Sequence, residues 1–178
     1  MLRHVPVLSA GLLLYRSGAA GVEVLLGHMG GPYWARKDDG AWSIPKGEHE
    51  PEEEPRVAAV REFTEELGSA PPAGEVRDLG SVAQRGGRKE ITVFALGADF
   101  DAEHITPGTF DLEWPPKSGT MRTFPEIDRA EWFDADTARR KLVPAQVAFV
   151  DRLLEALAPG GPDSPSGSQP PASGTGPS

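Results

Sequence analysis

Between Pro55 and Gly68 the chain carries its most sharply bounded helical pattern. Pro55 suits a first turn, where its missing N–H is no loss, and Gly68 closes the pattern with Pro71 and Pro72 just beyond. Val57, Val60, Phe63 and Leu67 recur at helical spacing and are expected to form the packed face. Glu62, Glu65 and Glu66 fall on the opposite side of the wheel, within about 100° of one another. A helix with one apolar arc has to lie on other elements.

The flanking sequence supplies candidates for those elements. Val7 to Tyr15 reads as a strand, residues 17–21 as a turn and Val22 to Gly27 as a second strand, together a hairpin. From His28 to Gly47 glycine, aromatic and charged residues mix without apolar periodicity, so a loop with a short strand near Trp42 is expected. Gly80 to Gln84 and Glu90 to Leu96 read as paired strands around the turn Arg85 to Arg88, and Glu131 to Phe133 as a short late strand. Thr106 to Pro125 is expected to be a long loop, a kind more often functional than idle. Ala145 to Leu157 has the spacing of a final amphipathic helix through Val147, Val150, Leu154 and Leu157. Residues 1–158 are thus expected to form one domain, and 159–178, dominated by Pro, Gly and Ser, a disordered tail.

Charge and composition exclude several classes. A net charge of -9 argues against non-specific binding to nucleic acid or to an anionic membrane, so neither partner is expected. The absence of cysteine removes disulfides, thiol catalysis and thiolate metal sites together. The apolar N-terminal run is broken by Pro6 and Ser9 and reads as a strand rather than a secretory leader; a cytoplasmic protein is the expectation.

A solvated helix face would leave the spacing of its charges arbitrary. Here Gly47 is followed after five residues by Glu53, and after seven more by Arg61-Glu62-Phe63-Thr64-Glu65-Glu66-Leu67-Gly68. This stretch resembles the signature of the Nudix hydrolases at all seven fixed residues. At a usage of about 7% per residue type such a match arises by chance on the order of once in 10⁸ starting positions, so accident is a poor account of it. Ser69 departs from the pattern, which has an aliphatic residue there. The resemblance implies an α/β/α sandwich with a mixed β-sheet between helices, and an enzyme that cleaves phosphoanhydrides in nucleotide substrates.

Such chemistry brings water to phosphorus in a substrate already rich in negative charge, and hard Mg²⁺ or Mn²⁺ with oxygen ligands makes that possible. The resemblance implies that Glu62, Glu65 and Glu66 are the principal metal ligands, joined by the backbone carbonyl of Lys46. It gives Glu53 and Arg61 a scaffold role, with Arg61 pairing to Glu65 or Glu53. The general base is either one of the helix glutamates or a remote one, for which Glu126 is the candidate. Glu48, Glu52 and Glu54 read as solvated, and Glu50 as a candidate outer ligand.

For the substrate, Trp42-x-x-Pro45-Lys46-Gly47-x-x-Glu50 is similar to the corresponding stretch of the dinucleoside polyphosphate hydrolases. Lys46 would add positive charge for a long phosphate chain, with Arg88 and Lys89 in loops expected to rim the same end. Tyr33, Trp34 and Trp114 are the expected base contacts, and Trp42 and Trp132 are assigned to the core. A dinucleoside polyphosphate such as diadenosine tetraphosphate is therefore the first expectation. A nucleoside triphosphate, ordinary or oxidised, or an ADP-sugar is the alternative, and a catalytically silent nucleotide-binding module is the alternative from another class. Nothing in the sequence fixes the oligomeric state.

Overall fold

The computed structural model describes residues 4–160; residues 1–3 and 161–178, which include most of the expected tail, lie outside the described residues. Strand β1, Val7–Gly18, runs through the middle of the molecule. Successive side chains on a strand point to opposite faces, so Ala10, Leu12 and Leu14 enter one buried cluster and Leu13 the other. Burial on both faces explains the near-continuous apolar run. β2, Gly21–Met29, returns antiparallel through the expected hairpin, and both strands run a few residues beyond their expected ends.

β1 changes partners along its length. Its second half pairs with β2 from Tyr15↔Val24 to Gly18↔Gly21, whereas its first half pairs with β4, Lys46–Glu48, from Ser9↔Glu48 to Gly11↔Lys46. The far end of β2 pairs with β3, Trp42–Ser43, so residues 42–48 fill the wedge between two diverging strands. On its other edge β1 lies parallel to β6, Lys89–Gly97, which pairs antiparallel with β5, Val76–Gln84. β9, Ile127–Asp134, completes a seven-stranded mixed sheet beside β2. Helix α1, Pro55–Leu67, covers one face; α2, Ala135–Lys141, and α3, Val147–Leu157, cover the other. The fold is an α/β/α sandwich with a mixed sheet, the architecture expected above.

Three sequence expectations need correction, and one helix lies outside them. The buried face of α1 is Ala58, Ala59, Phe63 and Leu67, not the arc through Val57 and Val60, which are 54% and 38% exposed. Alanines let the helix axis approach β1 and β4 closely, an advantage that outweighs the larger apolar surface of the valines. Thr106 to Pro125 is not a structureless loop: β7, Thr109–Glu113, and β8, Met121–Pro125, form a separate two-stranded hairpin. α2 was not anticipated, although Asp134 caps it by accepting from the Thr137 amide. The last helix begins at Val147, after a 3₁₀ turn at Pro144–Gln146, and buries Phe149, Val150 and Leu153.

Two buried polar groups anchor the irregular segments. Gln146 accepts from the Ile44 amide (2.8 Å) and donates to Ser43 Oγ (3.0 Å), which pins the wedge to α3. His28 places its ring nitrogens against Asp128 Oδ1 (2.8 Å) and the Lys37 carbonyl (2.7 Å), tying the loop after β2 to β9.

Candidate active site

The corrected face of α1 changes the setting of its carboxylates. On a 3.6-residue wheel Glu62 and Glu66 fall between Ala58 and Ala59, on the side that faces the sheet. They are therefore half-buried, and Glu65 stays exposed. Glu62 fits because Gly47 has no side chain: a β-carbon there would overlap the Glu62 carboxylate. Arg61 organises the outer flank. Its Nε and Nη2 donate to the two oxygens of Glu53 (2.8 and 2.9 Å), its Nη1 to Glu62 Oε1 (2.7 Å) and more loosely to Glu65 (3.4 Å), and its Nη2 to the Glu48 carbonyl (3.3 Å). This fork ties the loop to the helix and holds the Glu53 carboxyl below its usual range.

The edge of β4 faces the same carboxylates. The Leu12 amide donates to the Pro45 carbonyl and the His49 amide to the Leu8 carbonyl. Antiparallel alternation then turns the amide and carbonyl of Lys46 away from β1. Its amide donates to Glu66 Oε2 (3.2 Å), and its carbonyl shares that edge. Burial pushes the Glu66 carboxyl up to about 8 against the pull of Lys46, with Glu126 and Glu62 adding repulsion. Glu62 is also raised, by burial first, against the pull of Arg61.

Glu126 reaches this cluster through a backbone relay. The amides of Thr106 and Gly108 donate to the Leu67 and Glu65 carbonyls at the end of α1, the Glu126 amide to Gly108 and the Gly30 amide to Glu126. Segment 106–108 thus satisfies carbonyls that a helix end leaves open. No sequence signal marked Gly108 or Gln146; both act through contacts remote in sequence.

Among the described residues no three Asp, Glu or His side chains converge as a ready ligand set, because Arg61 draws Glu62 and Glu65 to itself. The donors nonetheless fit a hard dication: they are oxygens only, with more negative charge around Glu66 than Lys46 balances. Glu62, Glu65, Glu66 and the Lys46 carbonyl are the groups that could hold one.

The expected substrate contacts separate. Tyr33, 56% exposed, meets Trp114 edge-on at 5.2 Å between the loop after β2 and the β7–β8 hairpin. Trp34 is partly buried and packs against the core with Lys37 over its ring, apart from the Tyr33–Trp114 pair. Trp42 is buried as expected, and Trp132 is partly buried beneath Arg16. Lys89 sits beside Glu48 at 3.7 Å, and Arg88 is exposed on the β5–β6 turn.

The family model for the NUDIX domain matches residues 5–153. Solved structures share the fold. An Ap4A hydrolase of C. elegans, as a binary complex, is 18% identical over 82% of this chain and 95% of that one, with a TM-score of 0.54. The NUDIX domain of Shewanella oneidensis NrtR, complexed with ADP ribose, is 15% identical over 86% and 90%, with a TM-score of 0.60. RenU, a Nudix hydrolase from M. smegmatis, is 26% identical over 83% of each chain, with a TM-score of 0.50. No curated protein matches significantly. The chain belongs to the Nudix family, as a pyrophosphohydrolase acting on phosphorus-containing anhydrides. No helix among the described residues is long and apolar enough to cross a membrane.

Proposed function

We propose that the protein hydrolyses a dinucleoside polyphosphate such as diadenosine tetraphosphate, with Mg²⁺ or Mn²⁺ held by Glu62, Glu65, Glu66 and the Lys46 carbonyl. The observation that carries the proposal is the meeting of the Glu66 carboxylate with the Lys46 strand edge, beside a lysine side chain suited to a phosphate chain. A bound dication supplies positive charge to the phosphate oxygens and acidifies the attacking water. Arg61 and Glu53 hold the loop and helix in register, and Glu62 and Glu65, which Arg61 now pairs, would hold the ion with Glu66. Glu126, close enough to repel Glu62 and Glu66, takes the proton from water. Tyr33 and Trp114 offer a nucleobase an aromatic surface worth about 1–3 kcal/mol per stacked base.

The test is a panel of diadenosine polyphosphates, nucleoside triphosphates (one oxidised) and ADP-ribose with Mg²⁺, its products separated by ion exchange. Preferred cleavage of the diadenosine compounds is expected. Preference for the triphosphates or ADP-ribose would move the substrate assignment, and binding without turnover would replace the enzyme by a nucleotide-binding module.

A further inference from the structure

On the sheet face opposite α1, several groups lack the partners that burial or charge would call for. Ser9 lies on the same side of β1 as Gly11, whose β-carbon position is 3.0 Å from Lys46 Cβ, and as Leu13. Ser9 is 1% exposed, yet its Oγ has no hydrogen-bond partner among the described residues. Buried hydroxyls are normally satisfied, so an unpaired one needs a reason. On the same face the Lys46 ammonium makes no hydrogen bond or salt bridge among the described residues and sits between the repulsion of Lys89 and the pull of Glu66, Glu48 and Glu62. Lys89 has the same facing, two residues before Ile91, and among the described residues its salt-bridge partner is Glu48, at 3.7 Å and so beyond hydrogen-bond reach.

The line continues outward. Arg85 and Arg88, on the turn after β5, are exposed and have no carboxylate partner among the described residues. Arg85 holds φ at +51°, a conformation that glycine adopts without strain and arginine rarely does. With His4, Val7, Glu48 and Lys89 the two arginines line a cavity of about 320 Å³. In a chain of net charge -9 this concentration of cations runs against the average. From the level of Lys46, opposite Gly11, to that of Lys89, opposite Val7, β1 advances four residues, about 13 Å. Several linked phosphates are needed to span that length.

We propose that Lys46, Lys89, Arg88 and Arg85 form a track, above the buried Ser9, for the phosphates beyond the one attacked, so that the substrate is selected for an extended condensed-phosphate chain. This rests on the hydrolase reading above and narrows it: a diphosphate-linked sugar would leave the outer arginines without a ligand. The track runs from the carboxylate cluster over the edge of β4 toward the β5–β6 turn. The cations supply both charge and hydrogen-bond donors to the chain, and Ser9 lies buried beneath them.

Metal-free calorimetry with inorganic tripolyphosphate and with AMP tests it on the full chain. The exposed double variant Arg85→Gly/Arg88→Ser relieves the positive φ, so its fold should persist. Tripolyphosphate is expected to bind it at least about tenfold more weakly than the parent, with a much smaller change for AMP. Equal tripolyphosphate affinity would overturn the track. In turnover, the variant should raise KM for diadenosine pentaphosphate several-fold more than KM for ADP-ribose; a matching fall in kcat on both would mark a structural defect instead. If the parent binds tripolyphosphate but cleaves nothing in the panel, the track stands and the hydrolase reading falls.

Discussion

At the scale of single residues the site depends on carboxylates placed where water is scarce. Glu66→Gln keeps the shape and removes the charge, so turnover should fall at least about a hundredfold while circular dichroism stays unchanged; a variant of near-parental rate would dismiss Glu66 as a ligand. The same substitution has a signature without metal. With a folded pKa of about 8 against an ordinary 4.5, Glu66 contributes stability that is complete below about pH 4.5 and declines until about pH 8. In EDTA the melting temperature of Glu66→Gln should therefore exceed that of the parent near about pH 9 and converge with it near about pH 4.5. Parallel curves across that range would show that Glu66 is not desolvated. Gly47→Ala pushes a methyl group into the Glu62 carboxylate and should lower kcat about a hundredfold, with KM for substrate little altered.

Among the elements, α1 shows how far sequence patterns reach. Its ends were legible because Pro55 and Gly68 act locally; Gly68 takes φ +83° and donates its amide to the Thr64 carbonyl. Its packed face was not, because valines at 57 and 60 offered a more apolar arc than the alanines that meet the sheet. Urea titrations should separate the two faces: Val57→Thr is expected to shift stability by less than about 0.5 kcal/mol, and Phe63→Ala to cost about 3–5 kcal/mol. The signature named the acids and their scaffold, since Arg61 reaches Glu53, Glu62 and Glu65 along one helix and its adjoining loop. The placement of Glu126 was beyond it, because that depends on 106–108 capping the end of α1. β7 and β8 carried a readable alternation, Phe110 and Leu112 against Thr109, Asp111 and Glu113, hidden by the prolines that follow.

For the whole molecule, an ion that binds only the folded chain must stabilise it by mass action. Mg²⁺ at about 100 times its dissociation constant should add about 2.7 kcal/mol. Thermal melts should rise with Mg²⁺ in the parent and scarcely in Glu66→Gln; an equal rise in both would place the ion elsewhere. β9 joins the seven-stranded sheet through β2. Lys46 and Glu66 belong to the first half of the chain and Glu126 to the second, and it is the antiparallel β2–β9 seam, from Glu23↔Asp134 to Met29↔Ile127, that closes the two halves into one sheet. A protease cut in the linker after β6 would leave one fragment with the proposed ligands and another with the proposed base. Each should be inert by itself, and mixing them should rescue catalysis only as fast as the seam re-forms.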